Sequence, residues 1–313
     1  MPEAAARSAS ALRGAVKRAA ERTLTAAGAD RIALAMRPAG VLVLAYHNIV
    51  PAGESARGDT SLHLPQADFG RQLDALRRTH RIVPLDQAFA PGDGDRPRAV
   101  ITFDDACRGA LTAGIDELAR RGGLPATIFV APGLLGSAPW WDELAGPNGL
   151  DPAVRAHALD VLGGRAAAVR AWAETAGLRR RALPTHQRIA TAEELAATAA
   201  RPGITLAPHG WSHASLPALT ATALGDELSR PLAWLRDRFG GALPWLAYPY
   251  GHASPEVERA AERAGYQGAF RVEGGSFVLA GAAAHPFALP RLTVPAGVSD
   301  EGFRLLVSGV RRG

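Results

Sequence analysis

One cysteine, Cys107, is all the chain contains, so an intrachain disulfide is impossible. Lysine is as scarce. Lys17 stands alone, and the basic side is otherwise arginine, in a chain of net charge +5. No basic cluster is interleaved with aromatics, which speaks against a nucleic-acid partner. Long apolar runs are missing too. The longest early one, Val41–Ala45, falls far short of the ~20 residues of a membrane-spanning helix. It lies too deep for a signal peptide, and nothing ahead of it has an unbroken apolar core. A cytoplasmic location is therefore expected. With 47% hydrophobic residues and no repeat period among 34 glycines and 23 prolines, the chain of 313 residues is neither fibrous nor broadly disordered. It suits one large α/β domain or two smaller ones.

Residues 1–38 read as an N-terminal extension and 39–313 as the main domain. In the extension Leu12, Ala15, Val16, Ala19 and Leu24 follow a helical stripe, with Arg13, Lys17, Arg18 and Arg22 largely off it. Such a helix either packs on the domain or lies on an anionic membrane surface. Beyond Gly40, strands alternate with helices. Strands are expected at 41–45, 81–85, 99–103, 126–130, 204–207, 243–248, 268–270 and 289–293. Helices are expected at 67–78, 107–121, 220–239, 255–264 and 299–307, with a mostly helical insert over 140–200. The alternation implies a mainly parallel sheet, closed into a barrel or open. In both designs the chemistry sits at the carboxyl ends of the strands.

Polar residues follow several of these strands. ITFDD drives the strand 99–103 into Asp104 and Asp105. Two neighbouring carboxylates repel, and a cation removes the conflict; the plainer reading is a turn with Asp105 capping the next helix. PHGWSH places His209 and His213 four residues apart, on one side of a helical turn, a spacing that suits one divalent metal. They are otherwise two unrelated histidines. No Glu adjoins His209, so an HExxH protease is excluded. One Asp and two His leave an open metal position for water, and the second Asp can take the water's proton. In YPYG, Pro249 and Gly251 favour a turn that can aim the Tyr250 N–H at an oxyanion, or the stretch is a plain aromatic turn. His47, in AYHNIV, is either a half-buried structural histidine or a general acid for a leaving amine.

These motifs resemble the polysaccharide deacetylase family, carbohydrate esterase family 4, over roughly residues 40–308. TFDD at 102–105 is similar to that family's first motif, HGWSH at 209–213 to its second and YPYG at 248–251 to its third. The resemblance implies a deformed (β/α)7 barrel, with Asp104 as base, Asp105, His209 and His213 as ligands of one divalent metal ion, zinc foremost, and Tyr250 as oxyanion donor. The chain departs from the family at Ala106, where Gly is usual, and at Gly210, where Ser or Thr is. Ala247 or Tyr248 stands where an arginine normally steadies the base. No Leu-x-His motif appears near the C-terminus. AYHNIV resembles instead the poly-N-acetylglucosamine branch, whose motif order is permuted and whose acid is an N-terminal histidine. The acid is thus placed at His47, with His285 in reserve.

The implied reaction is N-deacetylation of an amino-sugar polymer, oligomer or precursor. The alternatives are an amidohydrolase acting on a small non-sugar amide, or a non-catalytic carbohydrate-binding protein. Trp141 and Trp211 are candidate substrate contacts, and each has a core reading as well. Arg291 either reaches a carboxylate such as Asp104, and with it the substrate pocket, or lies on the surface. Cys107 is expected to be buried and inert. His63, His80, His157, His186 and His252 are read as ordinary. A precursor substrate at the inner membrane face would give the basic extension a role in peripheral membrane contact.

Overall fold

The computed structural model describes residues 2–36, 40–90, 96–147, 149–272, 277–279 and 285–311. The expected boundary at 38/39 lies outside the described residues. In chain order the elements are α1 (Pro2–Ala26), α2 (Ala29–Ala35), β1 (Gly40–Tyr46), β2 (Asn48–Val50), β3 (His63–Pro65), α3 (Gln66–Thr79), β4 (Arg81–Ile82), α4 (Leu85–Ala88), β5 (Arg98–Phe103), α5 (Ile115–Arg120) and β6 (Ala126–Val130). The helical insert follows as α6 (Trp140–Glu143), α7 (Pro152–Ala156), α8 (Ala166–Thr175) and α9 (Ala192–Ala199). The chain ends with β7 (Ile204–Pro208), α10 (Ala221–Phe239), β8 (Trp245–Ala247), α11 (Pro255–Arg263), β9 (Gly268–Phe270), β10 (Phe277–Leu279), β11 (Leu292–Thr293) and α12 (Asp300–Ser308).

The main sheet runs β10-β1-β5-β6-β7, with β11 also paired to β1 and β4 to β5; β8 and β9 form a separate pair. Every pairing is parallel except β1 with β10. Backbone bonds bridge the seams. Leu243 N–H donates to Leu206 O at 2.9 Å, and Leu289 N–H to Ala269 O at 3.0 Å. Strands β1, β5, β6, β7, β8, β9 and β11 thus follow one another in the cyclic order of a deformed (β/α)7 barrel. The core strands are buried along nearly their whole length, which is why β5 and β6 read as unbroken apolar runs rather than alternating ones.

The helix boundaries follow local chemistry. Thr220 caps α10, Ser254 caps α11 ahead of Pro255, and Ser299 caps α12. Gly240 and Gly309 end α10 and α12 in left-handed conformation, as glycine readily does. Three expectations shift. The strand expected over 81–85 is only Arg81–Ile82, because Pro84 opens α4. The helix expected over 107–121 begins as a π-turn segment, Ala110–Gly114. The extension also packs the wrong way round for its apolar stripe: Val16 is 63% exposed and Leu24 43%. It docks through polar groups instead. Glu21 accepts from Ser299 at 2.6 Å and Arg311 at 2.8 Å, and Asp30 accepts from Arg304 at 2.6 Å.

Candidate active site

β5 carries Asp104 and Asp105 to the carboxyl rim of the barrel. Asp104 N–H donates to the carbonyl of Tyr46 at the end of β1, at 2.9 Å. Its carboxylate accepts from both terminal nitrogens of Arg291, Nη1 to Oδ1 and Nη2 to Oδ2, each at 2.7 Å. Arg291 is 2% exposed, and its guanidinium lies near the rings of Phe129 and Phe270. Burial pushes the Asp104 carboxyl up. Arg291, with His209 and His47, outweighs burial and holds it below the usual carboxylate range.

Asp105 turns into left-handed backbone, φ 67°, and Ala106 follows at φ 56°. That conformation explains the preference for Gly at 106; Ala there carries a strain of about 1–2 kcal/mol. The Oδ1 of Asp105 is buried and has no hydrogen-bond partner among the described residues. It lies 3.2 Å from His213 Nε2 and 3.6 Å from His209 Nε2.

β7 delivers the two histidines. His209 donates its Nδ1–H to the Ala247 carbonyl at 2.7 Å, which leaves a lone pair on Nε2 facing Asp105. Burial depresses its pKa to about 4, so the ring is neutral at pH 7, as a metal ligand must be. The stretch 209–213 is not the helical turn expected. It is a loop, with Gly210 at φ 69° and His213 at φ 58°. Glu227 on α10 shapes it by accepting from the N–H groups of Trp211 and Ser212, each at 2.9 Å, and from Ser212 Oγ at 2.5 Å. Nothing in the motif pointed to Glu227, which is 14 residues past His213 and reaches the loop only through tertiary packing.

Asp105, His209 and His213 form the one such group found among the described residues, all three buried, with a ligand atom from each within 4.8 Å of the others. An unpartnered buried carboxylate oxygen facing two imidazole Nε2 atoms, that of His209 left free by the Nδ1–H bond to Ala247, fits a divalent cation. Tyr250, after β8, has left-handed backbone, φ 58°, and its ring stands edge-on to His213 with centroids 4.5 Å apart. Its hydroxyl lies 3.3 Å from Trp140 Nε1.

A profile described as "Polysaccharide deacetylase" matches residues 92–269, more than half of the chain. The chain belongs to the polysaccharide deacetylase family. It is accordingly a carbohydrate deacetylase, a hydrolase that removes N-acetyl groups from amino sugars. No curated protein matches it by sequence. Among solved structures, IcaB from Ammonifex degensii aligns with TM-score 0.59 at 17% identity, over 87% of this chain and 98% of that one. Streptococcus pyogenes deacetylase PplD in complex with acetate gives 0.59 at 15%, over 86% and 99%. A polysaccharide deacetylase from Bacillus cereus gives 0.62 at 15%, over 88% and 70%. At such identities the likeness is one of fold.

The deacetylase gathers most of the residues singled out by sequence. His47 follows β1, half-buried, and is near enough to both Asp104 and Asp105 to help lower their carboxyls. Trp141 is buried, with its ring 5.0 Å from that of His213. Trp211 is half-buried. Its ring lies against Arg230 at 3.9 Å and edge-on to Trp234, both on α10. Arg291 reaches the Asp104 carboxylate with both terminal nitrogens, the first of its two readings, and is buried, not on the surface. His285 is exposed and contacts Glu258 and Phe287. Cys107 is buried, with its thiol pushed up by burial and by Asp105.

The sequence reading overlooked one further group. Asn48 Nδ2 donates to Nδ1 of both His63 and His186, each at 3.0 Å, and His63 Nε2 lies 3.2 Å from Asp142 Oδ1. This buried network ties β2, β3 and α6 together behind Trp141. Asn48 adjoins His47 in sequence, yet only the fold brings it to His186, 138 positions away.

Proposed function

We propose that the deacetylase hydrolyses the N-acetyl group of an amino-sugar oligomer or glycan precursor, with Asp104 as base, His47 as acid, Tyr250 N–H as oxyanion donor and one zinc ion held by Asp105, His209 and His213. Two imidazole nitrogens and a carboxylate oxygen suit zinc. When bound, the ion supplies Lewis acidity that brings the pKa of water toward ~7. Asp104, kept ionised by Arg291, accepts a proton from the attacking water. The left-handed turn at Tyr250 sets its N–H beside the acetyl oxygen as negative charge develops there; one such donor contributes about 3 kcal/mol in comparable sites. His47 gives a proton to the nitrogen as the C–N bond breaks, and acetate and a free amine leave. Trp141 offers an apolar wall for the sugar.

The observation that carries this reading is the convergence of Asp105 Oδ1 with both Nε2 atoms, beside a carboxylate locked by Arg291. Acetate release from N-acetylchitotetraose and from a small acetylated amide tests the substrate class. Release from the tetramer is expected. Turnover of the small amide alone contradicts it.

The extension supports a place at an anionic inner membrane face. Arg13, Val16, Lys17 and Leu24 share one exposed helical face, and Ile32 and Met36 are exposed beyond it. No described helix is long and apolar enough to cross a membrane. Wild-type protein should sediment with phosphatidylglycerol vesicles, and Val16→Glu/Leu24→Glu should bind at least about tenfold more weakly, since both side chains are exposed and the fold is spared. Wild-type protein left in the supernatant contradicts this placement.

A further inference from the structure

We infer that a cleft on the far side of α6 is an anion subsite for the phosphate groups of a phosphorylated acetylated amino sugar, an inference that rests on the deacetylase reading. The cleft has a volume of about 580 Å³, and its walls include Arg57, Gly58, Ala145, Arg179, Arg180 and Arg181. That volume is within the range of roughly 300–1,000 Å³ for small-molecule sites. Among the described residues, Arg180 alone of the four arginines meets a carboxylate, Glu143 at 2.7 Å, and Glu143 also accepts from Arg170 at 2.9 Å. Arg57, Arg179 and Arg181 have no carboxylate partner among the described residues. Three uncompensated guanidinium groups around one cavity repel each other, and an anion relieves that repulsion.

The walls are held from the protein interior. Arg181 N–H donates to the Glu143 carbonyl at 2.8 Å, and the Glu143 side chain is itself buried. On the facing wall, Arg57 N–H donates to Gln187 Oε1 at 2.8 Å, and the Arg57 carbonyl accepts from Gln187 Nε2 at 2.6 Å; Gln187 is fully buried. Gly58 has φ 86°, and a Cβ there would meet Asp142 Oδ1 at 2.7 Å, so only glycine lets this wall approach α6 so closely. The backbone of the two walls is therefore held at Arg57 and Arg181, and the four arginine side chains are exposed to a ligand.

Place and chemistry select the ligand. Trp141 packs on His213, and Ala145, four residues on, lines the cleft. The end of α6 and Leu144 are all the chain that separates them. A sugar with its acetyl group at the metal site can thus place a neighbouring substituent in the cleft. Planar guanidinium forks match phosphate oxygens in pairs, and several adjacent forks suit a diphosphate better than one carboxylate. No aromatic ring lines the cleft, so it lacks the stacking platform of a single-stranded nucleic-acid site.

Calorimetric titration with inorganic pyrophosphate tests the cleft without any turnover. Wild-type protein should bind it saturably, and both Arg179→Ala/Arg181→Ala and, from the opposite wall, Arg57→Ala should weaken binding by about tenfold or more. Acetate release then compares N-acetylchitotetraose with N-acetylglucosamine on a uridine diphosphate and on a short-prenyl diphosphate, two sources of the same charged group. At least one diphosphate substrate should be favoured in kcat/KM, and the double variant should lose that preference through KM while hydrolysing the tetramer as wild type does. No saturable pyrophosphate binding, binding unchanged in both variants, or no preference for either diphosphate overturns the inference. If no substrate releases acetate, the deacetylase reading fails, while the pyrophosphate titration still decides the cleft.

Discussion

Arg291→Met should destabilise the protein by about 3–5 kcal/mol and slow acetate release, because it leaves a buried carboxylate without its counter-charge. In the native protein Asp104 has a depressed pKa. The stabilisation from its ion pair is therefore fully present above the ordinary carboxylate value, about 3.9, and is lost as pH falls through the lower folded value. Without Arg291, burial acts nearly alone and drives the carboxyl up. A base must be ionised to accept a proton, so the acid limb of kcat/KM should move to higher pH in the variant. Urea unfolding at pH 7 and a pH–rate profile check both halves. Arg291→Lys should recover part of the stability but less of the rate, since one ammonium cannot match the paired contacts at 2.7 Å. An unchanged midpoint with a superimposable profile would mean that Arg291 does not hold the base.

Asp104→Asn should lower kcat by roughly 10²–10⁴, the usual scale for losing a positioned general base. The substitution keeps the side-chain shape while removing the charge and one acceptor of the Arg291 pair. Metal content should stay as in wild type, because the converging donor atoms belong to Asp105, His209 and His213. Asp105→Asn should do the reverse and lower metal content together with rate. The contrast separates two adjacent aspartates by function, and single-turnover acetate release beside metal analysis reads it. A near-normal rate in Asp104→Asn would move the base elsewhere.

Local pattern and tertiary placement were not equally legible. The run Ala99–Phe103 announced a buried parallel strand, and its two trailing aspartates announced the carboxyl rim, because hydrophobic continuity and strand ends are written locally. The helices 220–239 and 255–264 were readable as segments alternating with strands, and the structure adds Thr220 and Ser254 as their caps. The arrangement of 209–213 was not. A four-residue spacing is neutral between a helical turn and a loop, and Glu227, Gly210 and the left-handed His213 decide for the loop. Arg291 could not be assigned, since its pairing with Asp104 spans 187 positions and depends on β11 lying beside β1. The helical stripe of α1 was legible as a pattern, yet the polar pairs of Glu21 and Asp30, not the stripe, set which face docks.

Elemental analysis of the purified protein, before and after dialysis against a chelator, reads the central claim most directly. One equivalent of divalent metal is expected, acetate release should stop when it is stripped and return on adding zinc, and His213→Ala should bind little metal under the same conditions. Full acetate release from protein that holds no metal, or an undiminished equivalent in His213→Ala, would contradict the account.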